Sequence, residues 1–133
     1  MGMSDRLETL APYRPTGSIH DFRHDPIVYY MRMDRLVKIG TTTNLLQRVS
    51  AIMPQGVIAV EPGGRARERD RHSQFVALHS HYEWYWMREA LWEHVLKLRE
   101  ATFTTFGMSV EQWLKEHGVR DGNNFATDAE VSQ

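Results

Sequence analysis

Two short apolar runs open the patterned part of the chain. IVYYM (27–31) and RLVKIG (35–40) are rich in β-branched and aromatic residues, and only Arg32, Met33 and Asp34 lie between them, which predicts an antiparallel hairpin whose second strand ends at Gly40. The period then changes. Beyond Thr41, Thr42 and Thr43, Asn44 with Gln47 three residues on has the spacing of a capping box. A helix from about Asn44 to Met53 puts Leu45, Val49 and Ile52 on one face, with Arg48 at that face's edge and Pro54 as the stop. QGVIAVEPGG predicts a third strand, Val57 to Glu61, bounded by Gly56 and by Pro62, Gly63 and Gly64.

From Arg65 to about His79 nothing breaks a helix, and Glu68, His72, Phe75 (with Val76) and His79 recur at spacings of four, three and four. One face therefore changes character along its length. Its apolar half must pack, and the same face continued toward Arg65 points a carboxylate and an imidazole inward, where polar groups are costly unless they have a partner or a task. The aromatic run HYEWYWM has the period-two look of a final short strand or extended segment. A helix from about Arg88 to Glu100 follows, with Leu91, Val95 and Leu98 as its inner stripe. Ser109 with Gln112 starts a last helix that docks Val110, Trp113 and Leu114 and ends at Gly118. Residues 1–25 show no sustained period and are expected to form a partly ordered lead-in with a short helix near Ser4 to Leu10. Residues 26–118 make one domain, and the polar, glycine- and asparagine-rich stretch 119–133 is expected to be a flexible tail.

Composition narrows the function classes. A chain of 133 residues suits one domain of ordinary size, and no apolar run approaches the length of a membrane span. The first residues lack a basic segment followed by an apolar one, and there are no cysteines, so neither a secretory signal nor disulfides nor thiolate metal sites are expected; a cytoplasmic setting fits best. The formal net charge of −1 means that any binding to nucleic acid must come from a local patch. The candidate is GRARERDRH, whose Arg65, Arg67, Arg69 and Arg71 spread around a helix and cannot all line one groove. His79 and His81 are too close on one element to converge on zinc.

In order, VYY, KIG, an arginine ten residues past Lys38, ERDRH and EW resemble the motifs of the GIY-YIG nuclease superfamily, above all its bacterial and phage branch with KIG as the second motif. The resemblance covers roughly Pro26 to Trp86. It implies an α+β fold built on a small three-stranded antiparallel sheet flanked by helices, here with additional C-terminal helices. It further implies a DNA endonuclease that hydrolyses phosphodiester bonds with Mg²⁺ (or Mn²⁺) as cofactor.

By this resemblance Tyr29 helps activate or orient the attacking water, with Tyr30 as the competing choice. The two alternate to opposite faces of a strand, so only one can join the site. Lys38 stands where the second motif has a tyrosine, and its ammonium would hold the tyrosine phenolate-like or position water and phosphate. Arg48 matches the helix arginine, whose fork suits a phosphoryl transition state. Glu68 matches the single metal-ligating glutamate, and His72, one turn on, shuttles a proton or orients Glu68 or Lys38. Trp84 is expected to close the core behind the helix and Glu83 to brace a basic residue, while Tyr82, Tyr85 or Trp86 offer rings that bases could stack on. The sequence departs from the motifs in having Ile27 and Val28 where a glycine precedes Tyr29, and in lacking a late asparagine outside the 119–133 stretch. Double-strand cleavage would need a homodimer or two successive events. The alternative reading is a DNA-binding or regulatory module of the same fold with weak or no catalysis, and a third is an interaction protein that uses its aromatic C-terminal half.

Overall fold

The hairpin closes on a tighter turn than the alternation suggests. In the computed structural model, which describes residues 22–125, strand β1 (Ile27–Met33) runs antiparallel to β2 (Leu36–Thr42) with Met33 opposite Leu36, so only Asp34 and Arg35 form the turn. Asp34 takes φ 60°, the left-handed conformation that Asp tolerates better than most residues. The expected three-residue link is thus one residue too long, and in a hairpin that difference moves every side chain of one strand to the other face. Gly40 does not end β2. It sits inside the strand opposite Tyr29, where a Cβ would overlap the Tyr29 hydroxyl.

Helix α1 (Leu45–Ile52) starts as predicted, with the Asn44 side chain accepting from Gln47 N at 3.1 Å, and stops before Pro54 at a left-handed Met53. Strand β3 (Gly56–Pro62) returns along the other side of β1. The chain then forms α2 (Arg65–Gln74), a 3₁₀ turn at Val76–Leu78, strands β4 (His79–His81) and β5 (Trp84–Trp86), α3 (Glu89–Phe106), α4 (Val110–Glu116) and a last 3₁₀ turn. The sheet has five antiparallel strands in the order β3-β1-β2-β5-β4, not three: HYEWYWM and the two residues before it fold into a second hairpin whose β5 pairs with β2. That hairpin is also why α2 is shorter than expected. Phe75 turns into the core as the helix ends, Val76 is left 68% exposed, and His79 belongs to a strand. Helix α3 runs past Glu100 to Phe106, because 101–106 contain no breaker before Gly107, which caps it at φ 79°.

Core lies on both faces of the sheet. Ile27, Tyr29 and Met31 pack with Leu45 of α1 and with Val110, Trp113 and Leu114 of α4. Val28, Tyr30, Val37 and Ile39 pack with Phe75, Tyr85, Leu91 and Val95 on the side of α2 and α3. Burial from both sides explains why β1 reads as a continuous apolar run rather than an alternating one. Within the stretch read as tail, the chain remains docked on the sheet through Gly122: Val57 N donates to Arg120 O at 3.0 Å, Asp121 takes two hydrogen bonds from Arg99, and the backbones of Gly56 and Gly122 meet too closely for a side chain on either. The short helix expected near Ser4 to Leu10 lies outside the described residues. No helix among the described residues is long and apolar enough to cross a membrane.

Candidate functional site

The register of the first hairpin decides which tyrosine is available. Tyr29 faces Gly40 and Met31 faces Lys38 across the ladder, so Tyr29, Lys38 and the gap at Gly40 share one face, while Tyr30 points to the other. Strand β5 covers β2 only from Leu36 to Lys38. Past Ile39, whose N–H is taken by the Glu83 carbonyl, no strand pairs with this edge of β2, and side chains from both sides of the sheet can meet around it. Arg48 arrives from α1 and Glu68 and His72 from α2, and with Tyr29 and Lys38 they line one cavity of about 420 Å³. All five residues singled out from the sequence are therefore brought together. Thr41, Arg65, Arg69 and Glu83 complete the wall.

Two of these groups are fixed by partners. Lys38 Nζ donates to Glu83 Oε1 at 2.8 Å, so Glu83 is the brace that the EW motif suggests. His72 Nε2 donates to the carbonyl of Ile39 at 2.8 Å, and the ring lies 5.4 Å from that of Tyr85, which leaves Nδ1 as the acceptor nitrogen. The Tyr29 ring is buried. Burial pushes its hydroxyl up to about 12; the Arg48 charge opposes this, and Glu83 and Glu68 add to it. Burial thus favours the protonated form of the Tyr29 phenol, and the Lys38 ammonium is paired with Glu83. Tyr85, not Trp84, closes the core; Trp84 is half-buried, with Lys38 Nζ 5.9 Å from its ring centre.

Other groups at the cavity have no such partner. Among the described residues, the side chains of Arg48, Arg65, Glu68 and Arg69 make no hydrogen bond or ion pair. Arg65, Glu68, Arg69 and His72 share one face of α2, at spacings of three, one and three. Arg67 and Arg71 point elsewhere. Glu61, 4% exposed at the end of β3, receives Arg71 through two hydrogen bonds of 2.9 and 2.7 Å and Arg67 at 3.3 Å. The Tyr30 hydroxyl donates to the same carboxylate at 2.6 Å and in turn accepts from His94 Nε2 at 2.9 Å. Burial alone would raise the Glu61 carboxyl, but the bonds from Arg71 and Tyr30 and the Arg71 charge hold it below its ordinary value. Burial, with the Arg71 charge, pushes His94 down to about 4. The same surroundings push the Tyr30 phenol up, burial first and the Glu61 carboxylate second.

Sequence reasoning missed this second cluster. Part of its signal is in the sequence, an acid near the end of an otherwise apolar strand and Arg67 and Arg71 one helical turn apart, but that Glu61 shares the face of Val28 and Tyr30 and meets those arginines is seen only in the fold. No protein-family model matches the chain, and neither does any curated protein or any solved structure.

Proposed function

We propose that the chain is a divalent-metal-dependent DNA endonuclease acting at the Tyr29–Glu68 cavity, in the manner of the GIY-YIG nucleases that its motifs resemble. One observation carries the reading: in a chain of net charge −1, three guanidinium groups without partners and one carboxylate without a partner line the same cavity beside a buried phenol. Cations left unpaired in a cleft suit an anionic substrate, and the planar fork of arginine suits phosphate in particular.

The metal fits the donors present. Among the described residues no three His, Asp or Glu side chains are grouped to hold an ion by themselves. Glu68 alone would hold it, which suits Mg²⁺ (or Mn²⁺), since Mg²⁺ keeps several waters and binds through one or two carboxylates plus substrate phosphate. When bound, the ion supplies positive charge against the phosphate and the leaving oxygen. The chain's own groups do the rest. Arg48 holds the non-bridging oxygens and stabilises the charge that builds on them as water attacks phosphorus and the bond to the leaving oxygen breaks. The protonated Tyr29 hydroxyl orients that water, and His72, with Nδ1 free to accept, takes its proton. Lys38, steadied by Glu83, fixes the far wall and the approach of the phosphate. Arg65 and Arg69 hold neighbouring phosphates.

Nicking of supercoiled plasmid in Mg²⁺ tests the reading, with EDTA expected to abolish it. Arg48→Ala and Glu68→Gln are expected to slow nicking by about 10²- to 10³-fold, the usual cost of removing a group that stabilises transition-state charge. Tyr29→Phe keeps the packing but loses the hydroxyl, and a nicking rate equal to wild type would remove Tyr29 from the mechanism. A wild-type chain that shifts DNA in a gel yet leaves every substrate intact sinks the enzyme reading and favours the DNA-binding module.

A further inference from the structure

Tyr82 stands at the tip of the β4–β5 hairpin in a conformation that its own side chain resists. Its φ is 48°, in the left-handed region that favours glycine and asparagine and is uncommon for a bulky residue. The turn is nonetheless held on both sides: His79 Nε2 donates to the Tyr82 carbonyl at 2.7 Å, and the Glu83 carbonyl accepts from Ile39 N at 3.0 Å. The ring gives the fold little in return, being 87% exposed. Glycine would suit that backbone better and would forfeit no core contact. An aromatic residue there is explained by something outside the fold.

Its neighbours indicate the chemistry. The Tyr82 ring meets His81 edge-on with centroids 5.8 Å apart, and the exposed His81 lies within 15° of parallel to Trp84 at 6.5 Å. Lys38 Nζ is 5.9 Å from the Trp84 centre, and Lys38 and Glu83 both line the cavity. Rings thus lead from the hairpin tip to the rim of a cavity lined with guanidinium groups. An anion beside a flat aromatic surface is the outline of a nucleotide. A base inside a continuous duplex has its faces covered by its neighbours, so a ring can stack on it only where it is unpaired or extruded.

We propose that the β4–β5 hairpin is a stacking ledge, with Tyr82 as its outer ring, for an unpaired base next to the phosphate held in the cavity. The preferred substrate is then a DNA strand with an unpaired or readily extruded nucleotide, not continuous duplex. This inference rests on the phosphodiester reading of the cavity and deepens it.

Oligonucleotide duplexes carrying fluorescent 2-aminopurine, either unpaired or opposite thymine, test the ledge by binding to the full chain in EDTA. Wild type is expected to bind the unpaired substrate about tenfold more tightly than the matched duplex, with a change in 2-aminopurine emission as the base stacks. Tyr82→Phe keeps both effects. Tyr82→Gly is expected to lose both while melting at a higher temperature than wild type, a pair of opposite signs that loss of folding cannot produce. Equal discrimination by wild type and Tyr82→Gly overturns the proposal. Cleavage in Mg²⁺ with no preference for unpaired bases leaves the nuclease and removes the ledge. Preference without cleavage in any metal leaves the ledge and removes the nuclease, and a chain that binds neither substrate overturns both.

Discussion

Gly40 makes room for the cavity, because the Tyr29 hydroxyl occupies the space where any other residue would place its Cβ. Gly40→Ala is therefore expected to cost about 1–3 kcal/mol, the range for forcing an extra carbon into a packed site, and to displace the phenol. Pairing it with Tyr29→Phe removes the atom struck most closely, so urea midpoints should show the double variant less destabilised than the sum of the two singles. His94 makes a different kind of prediction. Burial holds it down to about 4 in the fold against 6.5 in the open chain, so between those two pH values the unfolded state binds a proton that the folded state does not. Stability present above pH 6.5 is then lost as pH falls toward 4, by at most about 3 kcal/mol. Glu61, held below its ordinary value, adds a further loss at the acid end of that window. His94→Gln keeps a donor for Tyr30 and does not titrate, so its melting temperature should fall less steeply from pH 6.5 to 4 than that of wild type; equal slopes would remove His94 as the cause.

Helix α2 shows at the scale of an element how little burial is needed to hold the side chains of a candidate site in place. None of its ten residues is buried. What sets it on the sheet is polar: Arg67 and Arg71 on Glu61 along one side, His72 on the Ile39 carbonyl along another, and Phe75 sinking into the core just past its end. Because Arg67 and Arg71 lie about one residue's rotation from Glu68 and His72, the buried carboxylate fixes the helix about its own axis and keeps the second pair toward the cavity. Glu61→Gln is expected to lower nicking at least tenfold while freeing two guanidinium groups, so that DNA binding holds or tightens and its salt dependence steepens. Parallel loss of nicking and binding would mean that Glu61 only supports the fold. Much of this architecture could be read from the sequence, since Asn44 and Ser109 cap their helices as their spacing to Gln47 and Gln112 implies. What could not be read depended on partners distant in the chain. A turn of two residues or three left the facing of Tyr29 open, and the sorting of four alternating arginines required Glu61, which no local pattern ties to them.

The whole molecule carries a net charge of −1, so on the nuclease reading proposed above any binding of DNA depends on where its cations are left unpaired. Arg99 is committed to Asp121 and Glu111, Arg71 and Arg67 to Glu61, and Lys38 to Glu83. Arg48, Arg65 and Arg69 converge instead on the cavity, where the sheet edge beyond β5 stays open. Acidic residues elsewhere then limit long-range attraction, so binding is expected to be weak at high salt and carried by few phosphate contacts. With three contacts on B-DNA, the logarithm of the association constant should fall against the logarithm of salt with a slope of about −2.7. Arg65→Ala and Arg69→Ala should each make that slope shallower by about one. Arg67→Ala, which removes a cation already bound to Glu61, should leave it almost unchanged. These variants sit within one short basic run and differ little in composition, so a slope that changes equally for Arg65, Arg67 and Arg69 would show that DNA meets the run as a diffuse positive surface and not through the face that α2 turns toward Tyr29 and Arg48.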